Sequence, residues 1–317
     1  MKRNFVIGSR GSALALWQAE FVKRLLESHL PEITFEIKTI STTGDQLVDT
    51  SLSKIGDKGL FTKQIETELL DGAIDFAVHS LKDLQTEQPR GLVIGAVCER
   101  EQPNDALIGK RHKSIDELPQ GATVATGSLR RKSQLLNYRP DLQVIDIRGN
   151  VPTRLEKFEK SDIDALILAY AGLHRLGLDA CVSELVPFDI MLPAVGQGAV
   201  AVEIREGDEN SAEAAALLDH RPTRACITAE RAFLRRLEGG CQVPIGGHAT
   251  LEGERIRLEG MVGRRDGTVV FRERIEGDVG GAEELGIDLA VLLEKKGAME
   301  LLAEGRAEGL ASSETVI

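Results

Sequence analysis

The sequence predicts an α/β protein built from two α/β domains and a smaller C-terminal α+β domain. Three observations carry this expectation. Short apolar strands alternate with amphipathic helices over the first two thirds of the chain, the order that gives a mostly parallel sheet with helices on both faces. Two stretches share one plan: "VIGSRGSALALWQ" (6–18) and "VATGSLRRKSQLL" (124–136) each end a strand in Gly-Ser with arginine close by, and a helix then begins. From about residue 221 a helix is followed by strands alternating with period two. At 317 residues the chain is long enough for two or three separate cores.

The elements follow in order. Residues 4–9 read as a buried strand and 12–29 as a helix, with Leu14, Trp17, Phe21 and Leu25 on one face. Residues 33–39 alternate as a half-buried strand does. A helix is expected over 59–70, then strands over 74–79 and 92–97. The middle third gives strand 123–126, helix 128–137, strand 144–147, helix 151–160 and strand 164–169. The last of these is so apolar that a central place in its sheet is expected. Residues 192–199, rich in hinge-capable positions, lead the chain back toward the first domain. The third domain begins with a helix over 223–237 that ends at Gly239-Gly240. Strands over 248–251, 255–262 and 268–275 follow, then one long helix over 281–304.

Composition narrows the function. The N-terminal apolar run is too short for a secretory core, and no stretch is long enough to span a membrane. A cytoplasmic protein is therefore expected. The cysteines show no C-x-x-C spacing and no histidine pairing, which argues against disulfides and against a zinc site. The net charge of -11 disfavours nucleic acid as a partner, and it makes a local arginine cluster conspicuous.

Arg10, Arg130, Arg131, Arg148, Arg154 and Arg175 all follow expected strands or fall in the first turn of a helix. Ligands bind at the carboxyl ends of strands in open α/β sheets. Helix N-termini there offer free N–H groups, and Ser12, Thr126 and Ser128 add hydroxyls. Any one of these arginines reads most simply as a solvated charge. Six in such positions point to a small ligand with several negative groups, which the guanidinium fork pairs in bidentate fashion. In "AVHSLKDL" (77–84) an apolar strand delivers Lys82 and Asp83 at its carboxyl end. They are either a surface ion pair or an acid–base, cation-stabilising carboxylate beside a cation; spacing does not decide between these. His79 points the opposite way and is expected to be structural. Lys54 and Lys58 lie in a Gly-interrupted segment, either a solvated loop or a positively charged flap. Cys241 follows a helix C-terminus, whose dipole opposes thiolate formation. It reads as an incidental loop cysteine or as a covalent tether rather than an activated nucleophile.

The segments "SRGSALALWQA", "DKGLFTKQIE", "DFAVHSLKDL", "GSLRRKSQL", "IRGNVPTRL", "LILAYAGLHRLGL", "LPAVGQGAV" and "LEGGCQVPIG" occur in order along the chain. Together they resemble the porphobilinogen deaminase (hydroxymethylbilane synthase) family over essentially the full length. The resemblance implies two domains of the periplasmic-binding-protein, transferrin-like type and a third that carries a cofactor cysteine. On this basis the domains span 1–98 with 199–217, 103–193 and 221–317. It implies that Cys241 holds a dipyrromethane cofactor by a thioether bond. Porphobilinogen units are then joined head to tail with loss of ammonia, in tetrapyrrole (haem) biosynthesis, and hydrolysis frees 1-hydroxymethylbilane.

The same resemblance assigns roles. Asp83 would bind pyrrole N–H groups and stabilise the cationic azafulvene. Lys82, Thr126, Ser128, Arg130, Arg131 and Arg154 would bind cofactor carboxylates. Arg10, Ser12, Arg148, Arg154, Arg175 and Gln197 would face substrate or the growing chain, and Lys54, Lys58 and Phe61 would form a lid. A monomer is implied. The chain departs from the family pattern at Gly127, where a second serine is common, and at Gln85, where a proline is. A solute receptor for an anion is the competing reading, but it would need an export signal and has no use for the third domain. A ligand-sensing regulator would need a basic helix-turn-helix, and none precedes residue 10.

Overall fold

The computed structural model describes residues 4–42, 44, 62–238 and 243–314. In chain order the elements begin with β1 (Asn4–Ser9), α1 (Ala13–His29), β2 (Thr34–Thr39), α2 (Lys63–Leu70), β3 (Phe76–Ser80) and β4 (Leu92–Val97). They continue with β5 (Asp105–Gly109), β6 (Thr123–Ala125), α3 (Leu129–Tyr138), β7 (Gln143–Ile145), α4 (Val151–Glu159) and β8 (Ala165–Ala169). Next come α5 (Tyr170–Arg175), β9 (Glu184–Leu185), β10 (Val200–Arg205), α6 (Glu209–Ala216) and α7 (Arg221–Arg236). Strands β11 (Ile245–Glu252), β12 (Arg255–Gly263) and β13 (Val270–Asp278) precede α8 (Ala282–Glu294) and α9 (Ala298–Glu314).

The chain divides into two compact units. One gathers the N-terminal segment, the stretch ending at Glu101, and Gly198–Arg224; the other holds Gln102–Gln197 and the chain from Ala225 onward. The first unit contains a five-stranded sheet in the order β2-β1-β3-β10-β4. Apolar residues cover both of its faces. On one, Phe5, Phe35 and Phe76 pack with Val22 and Leu26 of α1; on the other, Ile40, Ile74 and Ala77 pack with Ile65 and Leu69 of α2. The buried stripe of α1 is Ala15, Gln18, Ala19, Val22 and Leu26, displaced by about one position from the stripe expected at Leu14, Trp17, Phe21 and Leu25. Small side chains let α1 approach the sheet closely, and the bulky ones flank it, with Trp17 stacked on Phe21 at 5.4 Å.

The second unit contains a sheet in the order β7-β6-β8-β5-β9 and a three-stranded sheet β11-β12-β13. The two five-stranded sheets share one topology, with β6 in the place of β1, as the paired "Gly-Ser" stretches suggest. β8 is central, as its apolar sequence requires. Neither sheet is mostly parallel: β1 and β6 each pair in parallel on both sides, but β10 and β5 pair antiparallel with both neighbours. The sequence expectation fails here because β5 and β10 are each reached from a strand of the other five-stranded sheet, β4 and β9, not through a helical crossover within their own sheet. The third sheet is a meander whose Leu258 shares a core with Phe233 of α7, Leu289 of α8 and Leu302 of α9. The expected single terminal helix is two helices, because Gly297 adopts φ +97° and breaks the run.

Candidate functional site

In the first unit, β3 ends at Ser80 and the chain makes a single 3₁₀ turn over Leu81–Asp83. Both ends of this turn are fixed. Leu81 N–H donates to the Ala199 carbonyl at 3.0 Å and Leu84 N–H to the Leu81 carbonyl at 3.1 Å. Burial of Leu81 and Leu84 brackets the turn, leaving Lys82 half-buried and Asp83 exposed. Ser80 is tied to α1: Gln18 Nε2 donates to Ser80 Oγ at 2.8 Å, and that hydroxyl lies 3.2 Å from Gln18 Oε1 as a donor. Arg10 and Ser12 follow β1, the parallel neighbour of β3. Ser12 Oγ accepts from Ala15 N–H at 3.3 Å, which starts α1 and keeps the hydroxyl proton available. Parallel pairing thus brings Arg10, Ser12, Lys82 and Asp83 to one end of the first sheet, beyond the carboxyl ends of its interior strands β1 and β3. His79 turns inward, with Nε2 3.4 Å from buried Glu203.

In the second unit, Thr126 and Ser128 follow β6. Ser128 Oγ caps α3 by accepting from Arg131 N–H at 3.4 Å. Arg148 follows β7, and its Nε donates to Asp146 Oδ2 at 2.8 Å. A Cβ on Gly127 would lie 3.0 Å from the Ile147 carbonyl and 3.7 Å from Arg148 Nη1, so residue 127 is pressed against the Arg148 segment. Arg154 lies in the first turn of α4, where its Nε donates to the Gly149 carbonyl at 2.7 Å. Arg175 is buried and closes α5. It therefore stands a short helix beyond β8, neither at the strand end nor in a first turn as the sequence reading had it.

Arg130 and Arg131 are buried around Asp105, the first residue of β5. Arg130 Nη1 and Nη2 donate to the two Asp105 oxygens at 2.6 and 3.3 Å. Arg131 Nε donates to Oδ1 at 2.9 Å, and Gln197 Nε2 reaches the same oxygen at 2.9 Å. Further bonds run from Arg130 to the Leu192 carbonyl, from Arg131 to the Ile167 carbonyl, and from Gln197 to the Pro103 carbonyl. Burial alone would raise the Asp105 pKa. The two guanidiniums overcome it by charge and hydrogen bonding and hold the carboxyl well below the usual range. The sequence reading missed Asp105 altogether; the signal was an acidic residue opening the apolar run "DALIG".

Lys54, Lys58, Phe61 and Cys241 lie outside the described residues. Before Cys241, α7 ends at Arg236 and Glu238 takes a left-handed φ of 50°. Arg306 of α9 donates to the Leu237 and Glu238 carbonyls at 3.3 and 3.2 Å, satisfying exposed acceptors at that helix end. Cys98 and Cys226 are buried, and burial pushes the Cys181 thiol up. Among the described residues no cluster of His, Cys, Asp and Glu is arranged to hold a metal ion, and no helix is long and apolar enough to cross a membrane.

Comparison with known proteins gives matches over nearly the whole chain. Residues 5–213 match the family model "Porphobilinogen deaminase, dipyromethane cofactor binding domain", and residues 224–295 match "Porphobilinogen deaminase, C-terminal domain". Porphobilinogen deaminase of Pelotomaculum thermopropionicum is 52% identical over 97% of this chain and 99% of its own. That of Carboxydothermus hydrogenoformans is 51% identical over the same shares. Among solved structures, the methionine binding protein MetQ aligns at 15% identity and a TM-score of 0.43, covering 68% of this chain and 89% of that one.

Proposed function

The chain belongs to the porphobilinogen deaminase family, and from that premise we propose that it works as a hydroxymethylbilane synthase. It is a transferase of tetrapyrrole biosynthesis. It condenses four porphobilinogen molecules head to tail, each with loss of ammonia, and hydrolysis then releases 1-hydroxymethylbilane. The observation that carries this reading is the pair of family matches spanning 5–213 and 224–295.

The donor set fits a dipyrromethane cofactor. Pyrrole acetates and propionates need several cationic and hydroxyl donors, and these stand at the carboxyl ends of β1, β3, β6 and β7, with Arg175 one short helix beyond β8. Thr126, Ser128, Arg130, Arg131, Arg154 and Lys82 would hold those carboxylates, and Cys241 would carry the thioether. When bound, dipyrromethane supplies the pyrrole carbon to which the first unit is joined. Asp83 stands clear of its turn as an exposed carboxylate. There it accepts pyrrole N–H bonds, stabilises positive charge at the reacting ring, and takes up the ring proton once the new bond has formed. Arg10, Ser12, Arg148, Arg154, Arg175 and Gln197 bind incoming substrate and the growing chain; Lys54, Lys58 and Phe61 cover it.

The proposal extends to a three-domain division at 1–98 with 199–217, 103–193 and 221–317. It also extends to a cytoplasmic monomer without nucleic-acid or membrane partners, in keeping with the net charge of -11. Intact mass tests the tether. Wild type should exceed its sequence mass by two pyrrole units, and Cys241→Ser should not; an unmodified mass in protein that turns over substrate would refute the assignment.

A further inference from the structure

Among the described residues, Asp105 is the one carboxylate in contact with both Arg130 and Arg131, and it also receives Gln197. It is fully buried, at 0% exposure, and the two arginines are nearly so. We propose that Asp105 is a positioning residue that sets the guanidinium planes of Arg130 and Arg131 for anion binding. This inference rests on the proposed role of those arginines in holding cofactor carboxylates.

Two adjacent buried guanidiniums repel each other and have lost much of their hydration, which is costly unless an anion pairs with them. One carboxylate between them offsets that cost but cannot neutralise both, so a net positive charge remains for an incoming anion. Geometry adds direction. Asp105 engages Arg130 through both terminal nitrogens, which fixes the plane of that group. It engages Arg131 through Nε and through Nη2 at 2.8 Å, and the Ile167 carbonyl fixes Nη1. These bonds occupy part of each guanidinium's five donors and leave the others with a set orientation. Asp105 is itself anchored, since β5 pairs with β8 along its length, with Asp105 opposite Ala169. Gln197 then ties the residue to the segment that returns toward β10. A carboxylate in this place pre-orders the donors before any ligand arrives, which is where preorganisation gains affinity.

The test uses the full-length chain as wild type, Asp105→Asn, Asp105→Glu, Arg130→Gln, Arg131→Gln and the double variant Asp105→Asn with Arg131→Gln. Unloaded protein is incubated with porphobilinogen, the gain of dipyrromethane mass is followed by intact mass spectrometry, and folding is scored by thermal melting. Folded Asp105→Asn should load at least about tenfold more slowly than wild type. The double variant should be no slower than the worse single variant, because both changes act on one binding unit. Wild-type loading by Asp105→Asn alongside slow loading by the arginine variants would overturn the positioning role. Additive effects in the double variant would overturn it too. Normal loading by both arginine variants would instead sink the arginine assignment on which the inference rests. If Asp105→Asn does not fold, Asp105→Glu decides: it keeps the charge and shifts the carboxylate by one methylene. Slow loading with a wild-type melt supports the proposal, and wild-type loading refutes it.

Discussion

Asp83 is exposed and Arg148 half-buried, so the roles proposed for them can be tested apart from folding. Asp83 projects from a turn whose buried leucines, Leu81 and Leu84, do the anchoring. Asp83→Ala should therefore leave the melting temperature unchanged and lower kcat by at least about 10²-fold, the scale of a lost acid–base group. Ammonia release beside a thermal melt measures both. Arg148 is paired with Asp146, whose side chain is half exposed, and such pairs contribute at most about 1 kcal/mol. Arg148→Leu should raise the porphobilinogen KM several-fold while urea unfolding moves by less than about 1 kcal/mol. Unchanged kinetics would return Arg148 to a plain surface charge. Sequence placed Arg148, Arg130 and Arg131 in one class, yet the last two are buried around an aspartate that the strand–helix reading passed over.

Helices and strands position these residues through close approach. Gly286 of α8 faces α7, where a Cβ would come within 2.2 Å of the Ala229 carbonyl and 2.7 Å of Ala232 Cβ. Gly286→Ala should force the helices apart and cost about 1–3 kcal/mol in urea unfolding, as overpacking does. An unchanged midpoint would show that α8 can shift freely. The same principle explains the offset on α1, where Ala15 and Ala19 face the sheet because they are small. The helix starts near Ser12 and Ser128 were legible at this scale; that each serine caps its helix by accepting an N–H bond three residues on emerged only in the structure. The break at Gly297 was not legible as a break, since an isolated glycine is tolerated within a helical pattern.

Across the molecule, the paired topologies of the two five-stranded sheets repeat one arrangement of donors at carboxyl strand ends, and Asp105 links stability to it. The Asp105 carboxyl is depressed in the folded chain, against about 3.9 when unfolded. The unfolded chain therefore takes up this proton first on acidification. The stabilising contribution is full above roughly pH 5 and is lost as pH falls below about 4 toward the folded value. The urea midpoint of wild type should fall over that window, and Asp105→Asn should show a shallower fall; equal slopes would remove Asp105 from the linkage. The sequence by itself determined the alternation of strands and helices, the helix starts at Ser12 and Ser128, the central place of β8, and the motifs that carry the family. These depend on local periodicity and residue chemistry, which are written in neighbouring positions. Tertiary structure alone decided that β5 and β10 run antiparallel, that the smaller residues of α1 face its sheet, and that Asp105 gathers Arg130, Arg131 and Gln197. Those outcomes depend on contacts between residues far apart in the chain, 25 to 92 positions around Asp105 and farther still for β10, where Ala201 lies opposite His79 and Val97, and a buried charge selects its partners by where the fold brings them, not by where the chain lists them.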